Sequence, residues 1–140
     1  MRNGRCTDFG AFADIEARRT STQIVVDLPE NLPKIVVDRI MIEQVLLNLI
    51  KNGIEAMHDT PVERRRLNIG ARQIDARLLQ VEVADNGHGL AEEDVEKIFA
   101  PFYTTKQEGM GIGLAICRSI IEFHQGHLWV EARHEGGTVF

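Results

Sequence analysis

Residues 42–57 read IEQVLLNLIKNGIEAM, and this segment carries the strongest secondary-structure signal in the chain. Its apolar residues recur at the 3.6-residue spacing of one helical face: Ile42, Val45, Leu46, Leu49, Ile50, Ile54 and Met57. The opposite face is polar and carries Gln44, Asn48, Lys51, Asn52 and Glu55. Asn costs about 0.5–0.7 kcal/mol relative to Ala in a helix, so two of them one turn apart suggest a function for their amides. The segment predicts a core helix; its polar face is either a site for Mg²⁺ or an ordinary solvated surface.

The residues before this helix predict a helical opening followed by strands. The first 19 residues have the pattern of a helical lead-in, QIVVDL at 23–28 that of a strand, and 29–38 that of a turn followed by a short strand.

After the long helix, two partly alternating segments, 67–74 and 78–84, predict a hairpin joined through Asp75. A short helix is expected over 91–99, and an irregular loop after it. A further helix restarts at Ile112, and a strand over 127–133 and a final strand from Thr138 follow it. That second helix is expected to bury one apolar face, formed by Ile112, Ile116, Ile120 and Phe123.

This order of elements predicts an α+β fold, a two-layer α/β sandwich in which a mixed sheet carries helices on one face. A length of 140 residues with 44% apolar residues fits a single domain over residues 1–140. We expect the last strand to be cut short at Phe140.

Composition excludes several classes of function. A net charge of −5 argues against a general nucleic-acid binder, and the one basic run, Arg64 to Arg66, is expected to be a solvated turn. Cys6 and Cys117 are far apart and form no disulfide framework, which indicates a reducing cytosol. No apolar run of about 18 residues occurs, so we expect no membrane contact by this chain.

Two further segments carry candidate binding chemistry. In DNGHG, Asp85 could accept hydrogen bonds from a purine amino group, while Gly87 and Gly89 allow close approach of the backbone to a flat base. In EGMGIGLAIC, residues 108–117, alternating glycines run into a helix start, where free N–H groups favour an anion. Neither a P-loop nor a GxGxxG motif after a strand is present, which disfavours the common nucleotide-binding folds.

Together these segments resemble the four boxes of the histidine-kinase catalytic domain in the GHKL ATPase superfamily. EQVLLNLIKNGIEAM is similar to the N box, DNGHGL to the first glycine box, IFAPFYTTK to the F box with its lid, and GMGIGLAI to the second glycine box. EGGTVF resembles a further box at the end of the domain, which carries a threonine, and the resemblance runs from about Thr20 to Phe140 in the family order. It implies a Bergerat-type ATP-binding fold, two-component signalling and a cytoplasmic location, either as a soluble protein or as the cytosolic part of a membrane-bound sensor.

The resemblance also implies roles for single residues. Asn52 would ligate the Mg²⁺ that bridges the ATP phosphates, and Asn48 would lie beside the triphosphate. Asp85 would bind the adenine amino group, helped by Thr138 through a water molecule. The base pocket would be shaped by Gly87 and Gly89.

The lid of the family would correspond here to the loop after Phe99. Phosphate contacts and lid freedom would come from the second glycine box, and Phe99 and Phe102 would anchor the lid. Lys106 could neutralise phosphate charge or be an ordinary solvated lysine. The second glycine box contributes Gly109, Gly111, Gly113 and Leu114.

One position bears on the type of reaction. ATP-hydrolysing members of the superfamily place a glutamate base one turn before the magnesium asparagine, and here that position is Asn48. A carboxamide cannot take a proton from water, which favours phosphoryl transfer to a protein, although Glu55 on the same face keeps hydrolysis open.

The phosphoacceptor is expected on a separate helical dimerisation domain of the same protein, with a response regulator downstream, because none of the five histidines stands in an acceptor motif. An anti-sigma serine kinase and a nucleotide-sensing module without transfer are the alternatives.

Overall fold

The computed structural model describes residues 18–29, 32, 36–89, 95, 97–100, 113–133 and 136–140. Residues 18–20 are helical, and two short 3₁₀ turns occur at Val62–Arg64 and Lys97–Phe99. The lead-in before residue 18, most of the helix expected over 91–99, and the loop over 101–112 lie outside the described residues. The regular elements are β1 (Gln23–Asp27), α1 (Arg39–Ala56), β2 (Arg66–Gln73), β3 (Leu79–Asp85), α2 (Gly113–Phe123), β4 (Glu131–Ala132) and β5 (Thr138–Val139).

The described strands form one mixed sheet in the order β1-β2-β3-β5-β4. β1 pairs with β2 in parallel, and all other pairs are antiparallel. The α+β sandwich with a mixed sheet, predicted from the element order, is confirmed.

The hairpin of β2 and β3 forms as predicted and is closed by Asp75. Its Oδ1 accepts hydrogen bonds from the backbone amides of Arg77 and Leu78, at 2.7 and 2.9 Å. The period of two along the strands turns Leu67, Ile69 and Val83 into the core, and Asp85 shares that inner face at the end of β3.

α1 covers the inner face of the sheet with the predicted apolar stripe. Val45, Leu49, Ile50 and Ile54 are buried, together with Met57 just beyond the helix. They pack in one core with Leu67, Ile69 and Val83. The polar face of α1 therefore points away from this core. Of the helices in the described residues, none is long and apolar enough to cross a membrane.

The start of α1 is tied to the end of α2. Asp38 caps α1 by accepting a hydrogen bond from the Met41 amide at 3.1 Å, and its own amide donates to His124 Nε2 at 3.0 Å. His124 Nε2 is therefore the acceptor nitrogen, and Nδ1 donates to the Ile120 carbonyl at 2.8 Å. The short strand expected before α1 is absent from residues 36–38, because Val36 is fully exposed there and Asp38 is committed to the cap.

α2 buries only part of the predicted face. Ile120 packs against the core as predicted, but Ile116 and Phe123 are 48% and 73% exposed, and Ile112 lies outside the described residues. Cys117 is fully buried instead, and Leu114 packs against the core. The helix is apolar on more than one side, so its periodicity alone did not define the buried stripe. The strand expected over 127–133 is also shorter, because only Glu131 and Ala132 find partners in β5.

Candidate functional site

Asn48 lies where α1 meets the first turn of α2. Its Oδ1 is 4.0 Å from the position that a Cβ on Gly113 would take, and its side chain hydrogen-bonds to the Cys117 thiol. Burial raises the pKa of that thiol to about 11, so Cys117 is a protonated core residue at neutral pH, as expected from its apolar neighbourhood. The carboxamide of Asn48 is thereby held next to the amino end of a helix.

Asp85 is the buried acid of the site and is 2% exposed. Its Oδ1 accepts a hydrogen bond from the Gly87 amide at 2.8 Å, and the Thr138 backbone amide also donates to the carboxylate. Burial raises the pKa of Asp85, opposed by these two hydrogen bonds and by the charges of His88 and Arg133. The structure therefore fixes an acceptor group between the β3 loop and β5.

Gly53 stands on α1 directly over Asp85 and was missed by the sequence reasoning. A Cβ on Gly53 would lie 3.5 Å from Asp85 Cβ, 3.7 Å from its Oδ2 and only 2.6 Å from Leu67 Cδ1. The missing side chain lets α1 approach the carboxylate closely. A glycine inside a helix costs about 1 kcal/mol relative to Ala, and that cost was the signal that could have singled it out.

The loop after Asp85 packs against the carboxyl end of α1. A Cβ on Gly87 would lie 2.2 Å from the Ala56 carbonyl oxygen, which the His88 amide also approaches at 3.3 Å. Gly89 has a φ of +79°, a left-handed conformation that favours glycine. Both glycines thus fix the path of the loop beside Asp85.

Asn86 and Arg65 hold this region in place and were not predicted. Asn86 Oδ1 accepts from the Arg66 amide at 3.1 Å, and its Nδ2 donates to the Arg64 carbonyl, which extends the β2–β3 pairing. Arg65 donates to the carbonyls of Thr60 and His58, both at 2.9 Å, and to that of Thr20. Arg65 therefore links three backbone segments and is not part of a solvated turn. The sequence could not distinguish it from the adjacent Arg64 and Arg66, because all three are arginines.

The hairpin of β4 and β5 closes the other side of Asp85. Gly137 has a φ of +98°, and a Cβ there would lie 2.1 Å from the Asp85 carbonyl oxygen. Arg133 donates from its guanidinium to the same oxygen at 2.7 Å. Thr138, on β5, is buried and donates its amide to the Asp85 carboxylate, so both arms of the hairpin contact the acid or its peptide.

The predicted site residues divide into four sets. The structure brings Asp85, Gly87, Gly89 and Thr138 together at the end of β3, and it places Asn48 beside Gly113 at the start of α2, which Leu114 continues. Asn52, half-buried, lies one turn further along α1. Lys106, Gly109, Gly111 and Phe102 lie outside the described residues.

Phe99 lies at the point where the predicted lid begins. It is buried and meets Phe140 edge to face at 6.3 Å, with the Arg118 guanidinium 4.6 Å from its ring centre. It is thus fixed to the core.

Residues 37–140 match the family described as histidine kinase-, DNA gyrase B-, and HSP90-like ATPase.

Among characterised proteins, the sensor protein FixL of Bradyrhizobium diazoefficiens is 38% identical over 94% of this chain and 26% of its own length. The C4-dicarboxylate transport sensor protein DctS of Rhodobacter capsulatus is 43% identical over 89% of this chain and 19% of its own length. The chain thus spans about a quarter or less of these two relatives.

Among solved structures, the catalytic domain of the histidine kinase ThkA, in a nucleotide-free form, superposes with a TM-score of 0.84 at 34% identity. The match covers 99% of this chain and 88% of that domain. A second ThkA structure, in complex with the response regulator protein TrrA, matches with a TM-score of 0.73 at 33% identity over 99% of this chain and 38% of the ThkA chain.

Proposed function

This chain belongs to the histidine kinase-, DNA gyrase B- and HSP90-like ATPase family, and from that membership we propose that it binds Mg·ATP and presents the γ-phosphate to a histidine on a separate helical hairpin. In this proposal residues 1–140 form a single catalytic ATP-binding domain. The sensors it resembles are much longer, so the acceptor, the response regulator and the signalling role are inferred from those relatives.

The observation that carries the proposal is the environment of Asp85. A carboxylate that is 2% exposed is costly unless hydrogen bonds satisfy it, and here two backbone amides donate to it, while Gly53 brings the backbone of α1 close to its Oδ2. Each carboxylate oxygen has two lone pairs, so acceptor capacity remains for the adenine amino group. The proposed role of Thr138, through a water molecule, fits its hydrogen bond to the same carboxylate.

The phosphate end of the proposed site lies between α1 and α2. Carboxamide oxygens are suitable ligands for Mg²⁺, and Asn52, one turn from Asn48, is the proposed ligand. Gly113 and Leu114 provide the first backbone amides of α2. The free N–H groups and the dipole at the N-terminus of a helix favour an anion. Bound Mg²⁺ would neutralise charge on the phosphates during transfer. For Lys106, Gly109 and Gly111 the proposed phosphate contacts rest on the resemblance.

Transfer is favoured over hydrolysis by the residue at position 48. Its carboxamide is hydrogen-bonded to the Cys117 thiol, and neither group can accept a proton from water at neutral pH. Glu55, exposed two turns further along α1, is the one carboxylate on that face that could take the role of a base. The anti-sigma alternative is not favoured, because the relatives are sensor kinases.

Incubation with γ-labelled ATP tests this division of roles. We expect the chain alone to acquire no stable label and to hydrolyse ATP very slowly, and we expect label on an added helical-hairpin phosphoacceptor domain of a sensor histidine kinase. Rapid steady-state hydrolysis, or stable label on one of the five histidines of the chain, would assign it to the ATPases or to a different kinase class. Labelled serine on a partner protein would favour the anti-sigma alternative.

A further inference from the structure

The β4–β5 hairpin is closed by backbone hydrogen bonds of Arg133. Its amide donates to the Gly137 carbonyl at 3.1 Å, and its own carbonyl accepts from the Gly136 amide at 3.1 Å. These two hydrogen bonds fix the backbone of Arg133 beside Gly136 and Gly137, and they thereby define where its side chain starts.

The Arg133 side chain reaches Asp85, 48 positions earlier in the chain. Its guanidinium donates to the Asp85 main-chain oxygen at 2.7 Å, while Thr138, on the other arm of the same hairpin, donates its amide to the Asp85 carboxylate. One hairpin therefore holds both the peptide and the side chain of the acid.

We propose that Arg133 is a positioning residue for adenine recognition: it fixes the Asp85 peptide and adds to the positive charge near its carboxylate. This inference rests on the proposed binding of ATP. Arg133 itself need not contact the nucleotide.

Two positive charges of the described residues act on the Asp85 carboxylate, and that of Arg133 has the smaller effect. α1 faces the carboxylate with Gly53 and β2 with Leu67, neither of which carries charge. Among the described residues, the charges that favour the ionised acid come from His88, in the loop, and from Arg133. Burial raises the pKa of Asp85, so removal of the Arg133 charge should raise it further.

The test compares ATP affinity, by calorimetry on the 140-residue chain, between the wild type, Arg133→Gln, Arg133→Lys and the exposed control Arg77→Gln. Loss of one charge-assisted hydrogen bond should weaken ATP binding about 5–30-fold in Arg133→Gln, whereas Arg133→Lys should remain within about 3-fold of the wild type. Arg77→Gln should be unchanged.

Two readouts separate positioning from simple stabilisation. ATP affinity should fall as pH falls through the Asp85 pKa, because protonation turns an acceptor into a donor, and this fall should begin at higher pH in Arg133→Gln. Comparing variants at the same pH cancels protonation of the adenine ring. In an Asp85→Asn background, which should itself bind ATP more weakly than the wild type, Arg133→Gln should have almost no further effect.

If the wild type binds ATP and Arg133→Gln has equal affinity and an unshifted pH dependence, the role of Arg133 is overturned while the proposed function stands. The same fold loss in both backgrounds would also overturn it. A wild type that binds no ATP would overturn the proposed function and this inference with it. If Arg133→Gln does not fold, a large loss of affinity in a folded Arg133→Lys would contradict the rescue that the proposal requires.

Discussion

Asn52→Ala should abolish transfer of the γ-phosphate to an added helical-hairpin domain while leaving the fold intact. Asn52 is half-buried on the polar face of α1, one turn after Asn48, and a methyl group in its place cannot coordinate Mg²⁺. Charge neutralisation by a metal contributes several kcal/mol to the transition state, so we expect a loss of at least about 100-fold. Alanine is also the better helix former by about 0.5 kcal/mol, which argues against a loss through unfolding.

The matched control is Gln44→Ala, an exposed amide eight positions earlier on the same helix, which should transfer phosphate at the wild-type rate. The measurement is the initial rate of label transfer over a range of Mg²⁺ concentrations. A rate for Asn52→Ala within about 3-fold of the control, with the same dependence on Mg²⁺, would remove Asn52 from the metal site.

Gly137→Ala should destabilise the chain by about 2–4 kcal/mol, combining overpacking with a backbone conformation unfavourable to alanine. The Cβ would stand 2.1 Å from the Asp85 carbonyl oxygen and 2.7 Å from the Asn86 Cα, both backbone atoms that cannot move aside as a side chain could. The hairpin would be forced off Asp85, so ATP binding should weaken as well.

Gly136→Ala provides the control, because Gly136 has a similar φ of +101° but nothing within 4 Å of its Cβ position. This variant should lower the free energy of unfolding only by the cost of a left-handed backbone conformation for alanine, about 1 kcal/mol. Urea unfolding of both variants isolates the close contact with Asp85. Equal stabilities would show that the hairpin does not rest on the Asp85 peptide as described.

The parts of the fold that follow from periodicity could be predicted. The buried stripe of α1 and the hairpin of β2 and β3 appear where their spacing places them, because each has only one apolar face. α2 shows the limit of this reasoning: Ile116 and Cys117 are adjacent apolar residues, and only the packing against α1 decides that Cys117 is the buried one.

Some residues of the site could likewise be predicted from the sequence, and others could not. The position of Asp85 at the end of a strand could be inferred, since the residues after it are not those of a returning strand. Arg133 and Gly137 could not, because their contacts with Asp85 depend on the β4–β5 hairpin meeting β3, a long-range pairing that leaves no local pattern. Gly53 could have been noticed from the sequence, because glycine is unfavourable inside a helix. The reason for a glycine there is evident only from the structure, which places Asp85 beneath it.

The central claim, that this chain is a nucleotide-binding unit, is tested most directly by calorimetric titration of the 140-residue chain with ATP in the presence of Mg²⁺. The structure and family predict binding of ATP and ADP at micromolar to millimolar strength, about −8 to −4 kcal/mol. Absence of binding of either nucleotide up to several millimolar, on a chain shown to be folded, would contradict the account.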